Sequence, residues 1–369
     1  MTGQGRPRPA RISAHATASS HLALLSDLAL QRVVDQAPRV RPGMGGTSGT
    51  VEVEGVRVFV KQVPVTEREL LPGNVRSTAN LFGLPGFYQY GLGSAGFGAW
   101  RELAAHIMTT NWVLSGEHRA FALLYHWRLL PGPVATEGAF AEFGGLDGAV
   151  AHWEGSAAVR DRLQALRDSP ARLVLFLEHL PQTLAAWMAD QDVSEFARVD
   201  AQLADTTAFL REHGLVHFDA HFLNILTDGH GLYFSDFGLA LSDRFDLSDQ
   251  ERAFLREHRC YDRDYTAAHL VNHHVAERVR GERDRRRFVR AWAAGDRPRD
   301  VPASAAAILT RYAGTAVVLT DFHQSLMERS KQTPYPRAEL ERIRTRAGPR
   351  EASRPRSPDP AAPAERRAT

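Results

Sequence analysis

GLVHFDAHFLNIL (Gly214–Leu226), followed at once by TDGH and then GLYFSDFGLAL (Gly231–Leu241), is the stretch that decides how this chain folds. It sets His217, Asp219, His221 and Asn224 on a loop after a predicted helix. Asp236, Phe237 and Gly238 come next, behind the short β-run Leu232–Phe234. A carboxylate on such a loop can orient an acceptor hydroxyl and take its proton. An amide and a second carboxylate nearby offer the hard oxygen ligands that Mg²⁺ prefers. Phosphoryl transfer asks for these few parts and little else. Asp219 is the candidate base, and Asn224 and Asp236 are the candidate metal ligands. The 17 residues from Asp219 to Asp236 suffice for a loop, a strand pair and a return to one cleft.

HFDAHFLN resembles the catalytic loop H-x-D-x-x-x-x-N of the protein-kinase-like superfamily, and SDFG resembles its D-F-G metal motif. The two motifs stand in the family's order and spacing. The resemblance implies an α+β, two-lobed protein-kinase-like fold with a β-rich N-lobe and a mainly helical C-lobe, using ATP and Mg²⁺. It also implies that His217, grouped here with Asp219 and His221 as the catalytic set, is structural and packs near Phe237. His221 stands where protein kinases usually carry lysine, a choice that resembles aminoglycoside and choline kinase-like enzymes.

Toward the N-terminus, VEVE (Val51–Glu54), Gly55 and VRVFVKQV (Val56–Val63) alternate at period two around a Glu-Gly turn, which predicts a hairpin. Before it lies GMGGTSG, where Gly43, Gly45, Gly46 and Gly49 are candidates for a phosphate-covering loop. Gly43 and Gly45 fit G-x-G-x-x-G, but Ser48 takes the third place. Lys61 ends VRVFVK as the family's lysine ends V-A-I-K, and so is the candidate ATP-pairing lysine. Only Lys61 and Lys331 are lysines among 45 basic residues, a bias that makes a retained ammonium notable. Its expected partner is Glu102 in AWRELAAHI, 41 residues on and about twice the family's interval. Glu67 and Glu69 follow the strand too soon to fold back.

The intervening insertion, FYQYGLGSAGFGAWRELAAHI, carries Gly91, Gly93, Gly96 and Gly98 before a helix. This matches a dinucleotide fingerprint, but no βαβ unit follows and no acidic residue closes a second strand. The remaining readings are a segment packed on the nucleotide or one supporting the Glu102 helix. The buried run Leu173–Leu177 with Glu178, His179 and Leu180 resembles the kinase hinge, which implies adenine contacts from the backbone of Glu178 and Leu180. The resemblance spans roughly residues 40–275.

Helical spacing recurs over Ala99–Leu114, Ser194–His213, Tyr265–Val279 and Ser304–Met327. Asp262 or Asp264 is either a support for the catalytic loop or an ordinary surface acid. Residues 1–20 and 348–369 read as disordered, with an N-lobe over 21–180 and a C-lobe over 181–347. The arginines at 278–290 read as the solvated face of a helix.

A formal charge of +2 gives no case for nucleic acid or an anionic membrane as partner. One cysteine, Cys260, excludes an intrachain disulfide and Cys-rich zinc sites, and reads as a small filler. The longest apolar runs are too short to span a bilayer and no signal segment is apparent, so cytoplasmic is the expected location. The expected function is ATP-dependent phosphoryl transfer to a hydroxyl, with a small-molecule acceptor favoured because no A-P-E motif closes the segment after DFGLALS. The alternatives are a protein serine/threonine kinase, a nucleotide-binding pseudokinase, and a basic nucleic-acid scaffold that lacks the aromatics needed to stack bases.

Overall fold

The computed structural model describes residues 7–37, 46–134 and 140–346, and the backbone alone of 40–43. An antiparallel sheet has the order β1-β2-β3-β5-β4, from Val40–Gly43 (β1), Gly46–Val53 (β2), Val56–Val65 (β3), Leu124–Pro131 (β4) and Ala171–Glu178 (β5). The expected hairpin is present: Val53 pairs with Val56 across Glu54 and Gly55, both left-handed at φ 49° and 74°. Two left-handed residues give a turn whose twist matches the strands it joins, which is why glycine suits the second place.

Alternation along β3 gives the sheet two faces with different covers. Lys61 shares one face with Val63 and Val65, which pack on Ala99, Trp100 and Leu103 of the helix Ala99–Ser115. Val58 and Val60 point the other way, into a core with Val174 and Phe176 of β5 and with Ala18, Leu22, Leu30 and Val34. Those last four belong to helices α1 (Arg8–Leu24) and α2 (Asp27–Asp35), which lie on this second face.

Disorder over residues 1–20 therefore does not hold from Arg8 onward; residues 1–6 lie outside the described set. The buried positions of α1 are Arg11, Ala18 and Leu22, spaced at helical periods, so its docking stripe consists of one arginine, one alanine and one leucine. A stripe so poor in large apolar residues has no visible hydrophobic period. The predicted tail 348–369 also lies outside the described residues.

The remainder of the chain is mainly helical. Helices Phe196–Glu212, Tyr261–Leu270 and Ala303–Glu328 pack together, and the first buries Phe196, Val199, Leu203 and Leu210 as its spacing predicts. Ala303–Glu328 is, by length and composition alone, one helix among the described residues that could cross a membrane. Here it buries Ile308, Leu309, Leu319, Phe322 and Leu326 against its neighbours. The region 285–290 opens the short helix Arg285–Ala293, which buries only Phe288, Val289 and Trp292.

The two insertions form a further small core. Phe82, Leu84, Tyr88 and Phe97, from between β3 and the Glu102 helix, pack on Val150, Trp153, Leu163 and Leu166, from between β4 and β5. This accessory core includes the helices Leu146–His152 and Ala157–Arg167.

Candidate active site

Five separate segments meet at a cavity of about 290 Å³. Its walls include Lys61 of β3, Glu102, the glycines 91, 93, 96 and 98, Asp219, His221 and Asn224, and Asp236 with Gly238. The helix Ala99–Ser115 lies on the Lys61 face of the sheet, so Glu102 in its first turn reaches the lysine despite the long interval. Lys61 Nζ donates to Glu102 Oε1 at 2.7 Å and to Asp236 Oδ1 at 2.8 Å. Burial disfavours the Lys61 ammonium, but the Asp236 and Glu102 carboxylates outweigh that and raise its pKa. Burial likewise works against the Asp236 carboxylate, yet the lysine holds it down at about 2. Asp236 is therefore an anion throughout the physiological range.

The side chains of the loop 217–224 are held largely by backbone partners. His217 is fully buried, with Nε2 2.9 Å from Ser235 O and Nδ1 3.3 Å from Asp219 N. A carbonyl must receive a proton and an N–H must find a lone pair, so the ring is neutral with its proton on Nε2. Burial lowers its pKa in agreement. It packs on Phe237 at a ring separation of 4.8 Å. His217 thus positions the loop and lies outside the cavity walls. His221 does reach the cavity, with Nε2 3.7 Å from Asp219 Oδ2.

Asn224 Nδ2 donates to both the carbonyl and Oδ2 of Asp219, each at 3.0 Å. Its amide nitrogen is thereby committed, and its oxygen is the atom that can take a cation. Asp219 Oδ1 is sealed from solvent without a hydrogen-bond partner. Burial raises the Asp219 pKa; His221 opposes the rise and the Asp236 charge adds to it. What seals Oδ1 is Gly91, where an added Cβ would overlap that oxygen. A Cβ at Gly96, itself left-handed at φ 73°, would come within 2.6 Å of Gly238 O. The glycine-rich insertion therefore lies directly against both motifs, which neither expectation for it included.

Phe218 and Asp236 both have left-handed backbones, at φ 64° and 59°. Such conformations cost on the order of 1–3 kcal/mol and persist only where neighbours fix them. Asp262 does so for the first: Oδ2 accepts from His217 N at 2.7 Å and Oδ1 from Phe218 N at 3.0 Å. Of the two acids that sequence leaves open, Asp262 supports the loop, while Asp264 is paired with Arg344.

Burial raises Asp262 from 3.8 to about 7 against those two hydrogen bonds. Because its folded pKa lies above its unfolded value, its contribution to stability is full below about pH 4 and is lost as pH rises through about 7. Urea unfolding midpoints of the wild-type chain should fall from about pH 5 to about pH 8, and those of Asp262→Asn should fall less. The variant should also lose about 1–3 kcal/mol, because its amide nitrogen faces one of the two N–H donors. Equal slopes for the two proteins would assign the pH dependence to other groups.

Several expected nucleotide contacts fall elsewhere. Gly43 ends β1, Gly45 lies outside the described residues, and Gly46 and Gly49 sit within β2, Gly46 paired with Gly43 and Gly49 with Val60 of β3. A Cβ at Gly46 would overlap the carbonyl of Gln62, so this glycine is required by strand packing. Of the Glu178 backbone groups, the N–H donates to Leu123 O at 2.8 Å. Its carboxylate is held by Arg11 at 2.6 and 2.8 Å. Glu178 and Leu180 are both buried, and neither is among the cavity walls.

Among the described residues no group of three His, Cys, Asp or Glu side chains converges on a metal position. Asn224 and Asp236 both line the cavity and form a sparser set, one neutral and one anionic oxygen donor. No family model matches the chain, and no curated protein matches it.

Proposed function

We propose that the chain is an ATP-dependent phosphotransferase of the protein-kinase-like fold that acts on a hydroxyl of a small molecule. The supporting observation is that Lys61, Glu102, Asp219, Asn224 and Asp236, drawn from four segments, line a single cavity with Lys61 bound to two of the carboxylates. Lys61 is placed to pair with phosphate oxygens, and Glu102 keeps its ammonium extended. Asp219 takes the acceptor's proton on its carboxylate, whose basicity burial increases, while Asn224 fixes the orientation of Oδ2. Asn224 and Asp236 would hold Mg²⁺, which commonly takes one or two protein oxygens and completes its shell with phosphate and water. That ion, when bound, supplies neutralisation of the phosphate charge.

The small acceptor follows from the accessory core. The segment carrying Gly91 to Gly98 walls the cavity beside Asp219 and covers one of its oxygens. An extended polypeptide would have to displace this wall to present a side-chain hydroxyl.

The test is label transfer from γ-labelled ATP with Mg²⁺ into a lysate split into macromolecular and small-molecule fractions, with Asp219→Asn as control. Asp219-dependent label is expected among small molecules. Label in protein would replace the acceptor assignment, and no Asp219-dependent label in either fraction would count against transfer.

A further inference from the structure

Glu69 and Arg162 form a buried ion pair beside the cavity that the catalytic reading leaves unused. Their contact is 2.9 Å, between Arg162 Nη1 and Glu69 Oε2, and each is 1% exposed. Arg162 lies on the helix Ala157–Arg167 among Val159, Leu163 and Leu166 of the accessory core, and it lines the cavity. Glu69 lies on the short helix Glu67–Leu70 that follows β3.

The Glu69 carboxylate caps a helix to which it does not belong. Its Oε1 accepts the N–H of Ala99 at 2.8 Å, and its backbone carbonyl accepts the Trp100 indole N–H at 3.0 Å. Ala99 opens the helix that carries Glu102, and the N-cap of that helix is Gly98, which has no side chain to do the capping. A Cβ at Gly98 would approach Glu69 Oε1 to 3.0 Å, so the glycine makes room for the carboxylate. A negative group at a helix N-terminus satisfies an orphan N–H and complements the helix dipole. Thr66 completes the set, donating its N–H at 3.0 Å and its hydroxyl at 2.7 Å to Oε2. The coulombic pull of Arg162 and these hydrogen bonds outweigh burial and keep the Glu69 pKa low.

We infer that Glu69 is a positioning residue for the Lys61–Glu102 pair, and that Arg162 extends this control to the accessory core. The inference rests on the phosphotransferase reading. Glu69 fixes the first N–H of the helix, and Glu102 lies three residues further along the same first turn. A displacement of the accessory core would pull on Arg162, then on Glu69, then on the turn that presents Glu102 to Lys61. Occupation of the acceptor side is thereby linked to the geometry at the nucleotide side through two hydrogen-bonded contacts and the first turn of one helix.

A pair that only stabilised the fold would act independently of Glu102, and a thermodynamic cycle separates the two cases. Mg·ATP affinity is to be measured by titration calorimetry for the wild-type chain, Glu69→Gln, Glu102→Gln and the double variant, with Arg162→Met run through the same cycle. Glu69→Gln and Arg162→Met should each weaken Mg·ATP by about fivefold or more. Neither should weaken it further once Glu102 is glutamine. Equal losses in both backgrounds, or no loss from either variant, would overturn the inference. If Glu69→Gln fails to fold, the Arg162→Met cycle decides by the same criterion. Absence of Mg·ATP binding by the wild-type chain would instead overturn the phosphotransferase reading, and this inference with it.

Discussion

Asp219→Asn should lower phosphoryl transfer by about 100-fold or more, the usual contribution of a positioned general base, while Mg·ATP still binds. Asparagine keeps the shape of the side chain and an oxygen for the Asn224 amide, which now bonds to Oδ2. It cannot accept a proton from the acceptor. Nucleotide affinity should hold because the groups assigned to phosphate and metal, Lys61, Asn224 and Asp236, are untouched. The loss of negative charge near Asp236 removes a repulsion as well. Single-turnover label transfer gives the rate and titration calorimetry gives the affinity. Unchanged transfer would remove Asp219 from the role of base.

Gly91→Ala should also lower transfer by about tenfold or more, since small misplacements of a reacting group are costly. Its added Cβ overlaps Asp219 Oδ1, and that oxygen has no open space into which to retreat. The carboxylate must rotate and strain its bond to Asn224, or the glycine-rich wall must lift from the catalytic loop. Both distort the acceptor side. Lys61 and Asp236 lie on other segments, so Mg·ATP affinity should change less than acceptor turnover. A variant with wild-type turnover would mean that the wall lies further from Asp219 during the reaction.

The candidate stretch Gly214–Leu241 is legible because its residues are close in sequence and few kinds of chemistry use that order. Asp219, Asn224 and Asp236 fall into one cavity as the motif order implies, and Glu102 meets Lys61 across an insertion of unexpected length. Retention of lysine is a weaker guide than it looks. Lys331 is also buried, its ammonium donates to Leu326 O at 2.9 Å near the end of a helix, and it is not among the cavity walls.

What sequence conceals are contacts between distant segments. Glu69 follows β3 too closely to fold back on it, and indeed it does not reach Lys61. It turns instead to the incoming helix 30 residues later. The glycines at 91–98 match a dinucleotide pattern because close backbone approach demands glycine whether the neighbour is a pyrophosphate or another loop. Period and propensity hold no record of which neighbour it is. Helix α1 is hidden for a related reason: its docking surface is one arginine, one alanine and one leucine, with meaning only once the sheet is present.

That arginine has a consequence for the order in which the molecule assembles. Arg11 and Glu178 are 167 residues apart in sequence, yet each is the other's buried counter-charge. During synthesis α1 leaves the ribosome well before the strand that carries its partner, 167 residues further on. Until β5 is made, Arg11 has no Glu178 to meet, and the face that α1 and α2 cover lacks Val174 and Phe176. Closing so large a loop is entropically expensive and slow compared with local helix formation. Helix α1 is thus made long before its buried ion pair can form, and that pair closes only once β5 is present.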